Sequence, residues 1–100
     1  MIRHVGMWKF KQEAEGKNKE ENMQAAKDML YSLVPRISEI KRMEIAFDVT
    51  HSNASMDLML FTEFESTEDL KVYAVHPDHL AVAAYVGKVV ESRVVLDCEI

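Results

Sequence analysis

Cysteine is nearly absent: Cys98 stands alone in 100 residues, so no disulfide can form within the chain. Disulfides belong to oxidising compartments, and the lack of one sets an expectation of the cytoplasm. Cys98 lies in a terminal strand-like run, where it reads as a small apolar side chain. Glycine occurs three times and proline twice, too little glycine to build a phosphate-cradling loop. No apolar run approaches the roughly 20 residues of a membrane-spanning helix. The opening Met1-Ile2-Arg3-His4 leads into alternating residues and not into the apolar core of a signal peptide. Basic excess is lacking too: a net charge of −5 argues against nucleic acid and anionic lipid surfaces, both of which demand a cationic footprint. The one lysine-rich stretch, Lys9 to Lys19, is interleaved with Gln12, Glu13 and Glu15 and reads as a solvated turn. Asn53-Ala54-Ser55 matches a glycosylation acceptor, which without secretion is read as chance.

What is present is globular: 48% hydrophobic and 29% charged residues suit a packed core. The length gives one domain, residues 1–100. A chain of this size buries only roughly 60–70% of its unfolded surface, so a second copy would add useful burial.

Alternation marks the first strand, Ile2 to Lys11. Ile2, His4, Gly6, Trp8 and Phe10 share one face, and Val5 and Met7 make the other apolar at its centre. Residues 11–22 are polar, carry Gly16 and lead into a helix at the capping pair Asn18 and Glu21. Met23, Ala26, Leu30, Leu33 and Val34 recur at helical spacing, and Pro35 predicts the stop. Lys41–Val49 and Asp57–Glu65 read as strands, the second again apolar on both faces. Ser66-Thr67-Glu68-Asp69 opens a second helix with Leu70, Tyr73 and Ala74 inward. His76-Pro77 breaks it, and a further helical segment carries Leu80, Ala83, Ala84 and Val86 inward to about Val90. Val94, Leu96 and Cys98 alternate with Val95 and Asp97 in a last strand. The order β-α-β-β-α-β predicts an α+β, ferredoxin-like domain: four antiparallel strands with helices on one face. Strands apolar on both faces then need cover on the open side, which predicts a homodimer.

Several stretches also resemble the stress-responsive α/β-barrel (Dabb) family. They are Met1-Ile2-Arg3-His4-Val5 leading to Lys9-Phe10-Lys11, then Asp57-Leu58, Phe64-Glu65-Ser66 and Leu70. Tyr73 followed by His76-Pro77-Asp78-His79 is the most specific of them, and Val94-Val95-Leu96-Asp97 is the last. The resemblance implies two sheets associating back to back as a dimeric α+β barrel, with a cleft between helices and sheet in each subunit. A few members resemble polyketide cyclases, in which the matching tyrosine and second histidine act in the cleft. Carried over, these are Tyr73 and His79, with His4 and His76 as lining residues and Asp97 as support. Gly6 and Trp8 depart from the family's usual aliphatics.

The residues themselves support part of this constellation. Tyr73 and His76, three apart, share a helix face, and His79 follows the proline bend. A histidine with a tyrosine donor suits proton abstraction beside a carbonyl, although such residues equally serve to pack. Pairing Ile2–Phe10 with Ser92–Ile100 sets His4 opposite Asp97, where a carboxylate fixes a histidine's tautomer. His76 and His79 alone are too few ligands for zinc, so neither metal nor cofactor is expected. Trp8 either fills the cleft or, over the space left by Gly6, walls it for an aromatic ligand. Three readings follow. The first is a dimer holding a small apolar molecule against His4, Trp8, His76 and Asp97. The second is a cofactor-independent cyclase, lyase or isomerase using His79 and Tyr73. The third is a purely structural dimer with the cleft closed.

Overall fold

The central strand β1, Ile2–Phe10, is largely apolar on one face and apolar at the centre of the other, and it is hydrogen-bonded on both sides. The structure, a computed structural model, describes residues 1–100. On one side β1 pairs with β5, Leu58–Phe64, and on the other with β6, Val90–Glu99. The sheet is completed by β4, Arg42–Phe47, in the order β4-β5-β1-β6, all neighbours antiparallel. This is the expected ferredoxin-like arrangement.

The helices α1, Lys19–Tyr31, α2, Thr67–Val75, and α3, Pro77–Val89, all lie on one face of the sheet. Beneath them, Leu58, Leu60, Thr62 and Phe64 point inward from β5 in strict alternation, joined by Ile2, Trp8 and Phe10 from β1. Each fully buried large side chain here contributes about 2 kcal/mol. Thr62, the polar member, is satisfied because its hydroxyl donates to the carbonyl of His4 at 3.2 Å. No helix is long and apolar enough to cross a membrane.

Three expectations are corrected. The polar connection before α1 is not only a turn, since Glu13–Ala14 (β2) pairs with Lys17–Asn18 (β3) across Glu15 and Gly16, both at positive φ. The first helix ends at Tyr31, a turn before Pro35 requires, because the Ser32 hydroxyl bonds the Met29 carbonyl and the chain then turns to bury Leu33, Ile37 and Ile40. In α3 the inward stripe is Val82, Val86 and Val89, while Leu80 is 53% exposed. The cap at His76 sets the phase, and of the expected Leu80, Ala83, Ala84 and Val86 only Val86 is in the buried stripe, with Val82 and Val89 four and three residues from it.

The outer face is uncovered. Met7, Val94 and Leu96 are exposed there, with Met7 opposite Val94 and Val5 opposite Leu96. Phe61 lies between the guanidinium groups of Arg3 and Arg42, each 5.4 Å from its ring centre.

Asn22 ties the small β2–β3 hairpin to the helices. Fully buried in α1, it donates to the Ala14 carbonyl at 3.0 Å and accepts from the Tyr85 hydroxyl at 2.5 Å. Replacing it by alanine strands a buried carbonyl and hydroxyl. Urea denaturation of Asn22→Ala should show a loss of about 2 kcal/mol, and a loss within measurement error would show that the hairpin is not anchored this way.

Candidate functional site

Alternation along β1 brings His4, Gly6 and Trp8 to the helix side of the sheet. Gly6 has a specific reason to lack a side chain: a Cβ there would lie 3.2 Å from Cη2 of Trp8. The indole leans over this backbone. A cavity of about 320 Å³ remains above it, walled by Trp8, His4, Tyr73, His79 and Arg93, with aliphatic side chains of α1 and α3. Trp8 therefore forms a wall and does not close the cleft.

His4 meets Asp97 across the strand pair as the register requires, with Nδ1 and Oδ1 2.5 Å apart. An ionised carboxylate only accepts, so Nδ1 carries the proton and the ring is held in one tautomer. The His4 side chain is 12% exposed and lines the cavity, whereas Asp97 is half-exposed and supports from behind.

α2 delivers Tyr73. Its N-cap Ser66 accepts from the Asp69 amide at 3.1 Å, and one face of the helix then rests on β5. The Tyr73 ring packs 5.1 Å from Phe64, 4.3 Å from His79 and 6.3 Å from His4. Its hydroxyl is buried and has no hydrogen-bond partner. Burial pushes the phenol up to about 12, with the charge of Arg93 opposing. The group is a neutral donor that no protein atom satisfies.

His76 separates α2 from α3. Its extended backbone ends one helix, and its Nδ1 accepts the Asp78 amide at 3.1 Å to cap the next, with Pro77 in the first turn. His76 does not line the cavity, so the lining place expected for it is not where the structure puts it. His79, one turn into α3, does line it. Its Nδ1 lies 3.1 Å from the Ala74 carbonyl. A carbonyl only accepts, so Nδ1–H is the donor and Nε2 keeps its lone pair. Burial pushes the His79 imidazolium below the ordinary histidine range, the Ala74 carbonyl opposes, and the charges of His4, Arg93 and His76 push it further down. No three His, Cys, Asp or Glu side chains gather as a metal-binding group.

The structure thus brings together four of the six expected residues, His4, Trp8, Tyr73 and His79, with Asp97 behind them and His76 apart. It adds Arg93, which the sequence reading missed. The signal was available: the register that sets His4 against Asp97 also sets Trp8 against Arg93.

A ferredoxin-like α+β domain with a histidine- and tyrosine-bearing cavity between helices and sheet is the class this geometry defines. The family model for the stress responsive A/B barrel domain matches residues 2–100, and the chain belongs to that family. No curated protein matches it. Among solved structures it is similar to a dimeric protein of unknown function with a ferredoxin-like fold from Bacteroides fragilis. That pair shares 26% identity over 99% of this chain and 95% of the other, with a TM-score of 0.84. A Dabb family protein from Mesorhizobium loti matches at 21% identity, covering 98% and 94% of the two chains, TM-score 0.73. The hydroxynitrile lyase of Passiflora edulis matches at 18% identity, covering 97% and 90%, TM-score 0.82.

With its folded value depressed, His79 binds its proton less readily in the folded chain than in the unfolded one. Stability linked to it is present above the ordinary histidine value of about 6.5 and is lost as pH falls from there through the depressed value. An NMR titration should place His79 below that ordinary value, and His79→Gln should flatten the acid side of the stability profile. A His79 midpoint at or above the ordinary value would contradict the burial described.

Proposed function

We propose that this protein is a cytoplasmic homodimer, each subunit of which binds a small, largely apolar molecule bearing an oxygen acceptor in the cavity between helices and sheet. The observation that carries the reading is the Tyr73 hydroxyl, buried beside that cavity without a partner. Buried polar groups are nearly always satisfied, and a ligand oxygen is the acceptor this one lacks. Trp8 supplies a flat apolar wall for a ring. The unpaired cysteine suits a reducing compartment.

A second reading, favoured by His79, is a cofactor-independent cyclase, lyase or isomerase. His79 offers a neutral Nε2, and its ring centre lies 4.3 Å from that of Tyr73. In such a reaction Nε2 takes a proton from the carbon beside a carbonyl, the C–H electron pair moves into a C=C bond, and the carbonyl oxygen becomes an enolate. The Tyr73 hydroxyl donates a hydrogen bond to that oxygen. A fold shared with a hydroxynitrile lyase supports the capacity of this scaffold for lyase chemistry.

Acetophenone, a ring with one carbonyl, tests both readings. NMR titration should map it to the cavity, and Tyr73→Phe should weaken it about fivefold. No cavity shifts at saturating ketone would sink the binding reading. In D₂O the wild type should exchange the ketone's methyl protons faster than His79→Ala does, and equal rates would end the enzyme reading.

The uncovered outer face supports the dimer, as does the dimeric description of the Bacteroides fragilis structure. Sedimentation should give about twice the 11.5 kDa chain mass, and Leu96→Glu, which places a charge on that face, should favour the single chain. A wild type that sediments as one chain at micromolar concentration would overturn it.

A further inference from the structure

Residues directly opposite in an antiparallel pair share a face of the sheet. Arg93 of β6 is opposite Trp8 of β1, so it stands on the helix side and lines the cavity. Of the side chains around that cavity it alone carries a permanent charge. The other three arginines of the chain all have carboxylates: Arg3 is paired with Glu63, Arg36 with Asp78, and Arg42 with Glu44 and Glu63. Arg93 takes part in none of the chain's ion pairs. The shortage is not of anions, since the chain has 17 acidic residues against 12 basic ones. None of the 17 lies within ion-pair distance of this guanidinium.

From this geometry we infer that the molecule held in the cavity is an organic carboxylate, with Arg93 as the residue that selects for its charge. The inference rests on the binding reading above and narrows it. Two parallel N–H groups of a guanidinium match the two oxygens of a carboxylate. The cavity is polarised accordingly. Tyr73 is 1% exposed, whereas Arg93, on the edge strand, is exposed, and both line the cavity. Trp8, opposite Arg93 in the strand pair, supplies the flat wall. A ligand that uses all three carries an uncharged oxygen acceptor at one end, an apolar ring, and an anion at the other. The charge of Arg93 is felt at both Tyr73 and His79, opposing the burial of the first and adding to that of the second.

The test compares acetophenone with 3-acetylbenzoate and 4-acetylbenzoate, which add a carboxylate to the same ketone. At least one benzoate should bind the wild type about tenfold more tightly than acetophenone. In Arg93→Gln the ratio should fall to near one, and Arg93→Lys, with charge but no fork, should restore only part of it. Equal binding of ketone and benzoates by the wild type, or a preference that survives in Arg93→Gln, overturns the assignment while leaving the cavity reading intact. Failure of all three ketones to bind removes the cavity reading and this one with it. If Arg93→Gln lowers the sedimentation mass, the guanidinium belongs to the subunit interface, and the assignment is again overturned.

Discussion

The register of β1 between β5 and β6 is the constraint on which the remainder depends. A strand alternates faces with a period of two, so a slip of one residue would turn His4, Gly6 and Trp8 outward and bring Val5 and Met7 in. Several contacts fix it. The Phe10 amide donates to the Asp57 carboxylate at 2.7 Å, the Asp57 amide donates to the Trp8 carbonyl at 2.8 Å, and Thr62 binds the His4 carbonyl from below the helices. Lys19 approaches Asp57 to 3.4 Å, which ties the start of α1 to the same corner. Between Lys9 and Phe10 the register with β6 shifts, and such an irregularity resists sliding. One strand, held at both ends, thus places a histidine, a tryptophan wall and the partners of both.

Three histidines with the same side chain acquire three roles from the atom that meets their Nδ1. A carboxylate meets His4, a carbonyl meets His79, and a backbone amide meets His76. The first two partners accept, so the proton is on Nδ1. The third donates, so at His76 that nitrogen carries the lone pair. Only at the amide-bound ring does the fold take the lone pair, because it caps α3, and that ring is left with Nε2–H as its free polar group. This explains physically why His76 stands apart although its spacing from Tyr73 places both on one helix face.

Much of this was legible in the sequence because it follows from short-range rules. The capping residues Asn18 and Ser66, the proline at position 77 and the alternation of Ile2 to Phe10 each act over four residues or fewer. The His4–Asp97 pair spans nearly the whole chain, yet it too was legible, since topology and register together determine it. Arg93 needed nothing more than the same register read four residues earlier, but an arginine on a terminal strand resembles ordinary surface charge. The phase of α3 was not legible from its apolar composition. Leucine and alanine are as plausible as valine on an inner face, and only the three-dimensional junction at His76 decides which stripe turns inward. The size of the cavity was equally out of reach, because it depends on whether the indole of Trp8 lies over Gly6 or stands away from it.

An unpartnered buried hydroxyl is costly in a domain of this size. Leaving such a group unsatisfied costs about 1–3 kcal/mol, against a total stability of roughly 5–15 kcal/mol for an ordinary domain. Phenylalanine at position 73 would keep the stacking on Phe64 and His79 and avoid that cost. Folding therefore gives no reason for the oxygen, whereas a bound acceptor does, since it recovers the lost hydrogen bond. Arg93 is exposed and so costs the fold nothing, but it lines the same cavity with no carboxylate of its own. Tyr73 and Arg93 are the two side chains of the cavity whose polar groups have no partner within the protein. Both are explained by one ligand that spans the distance between them.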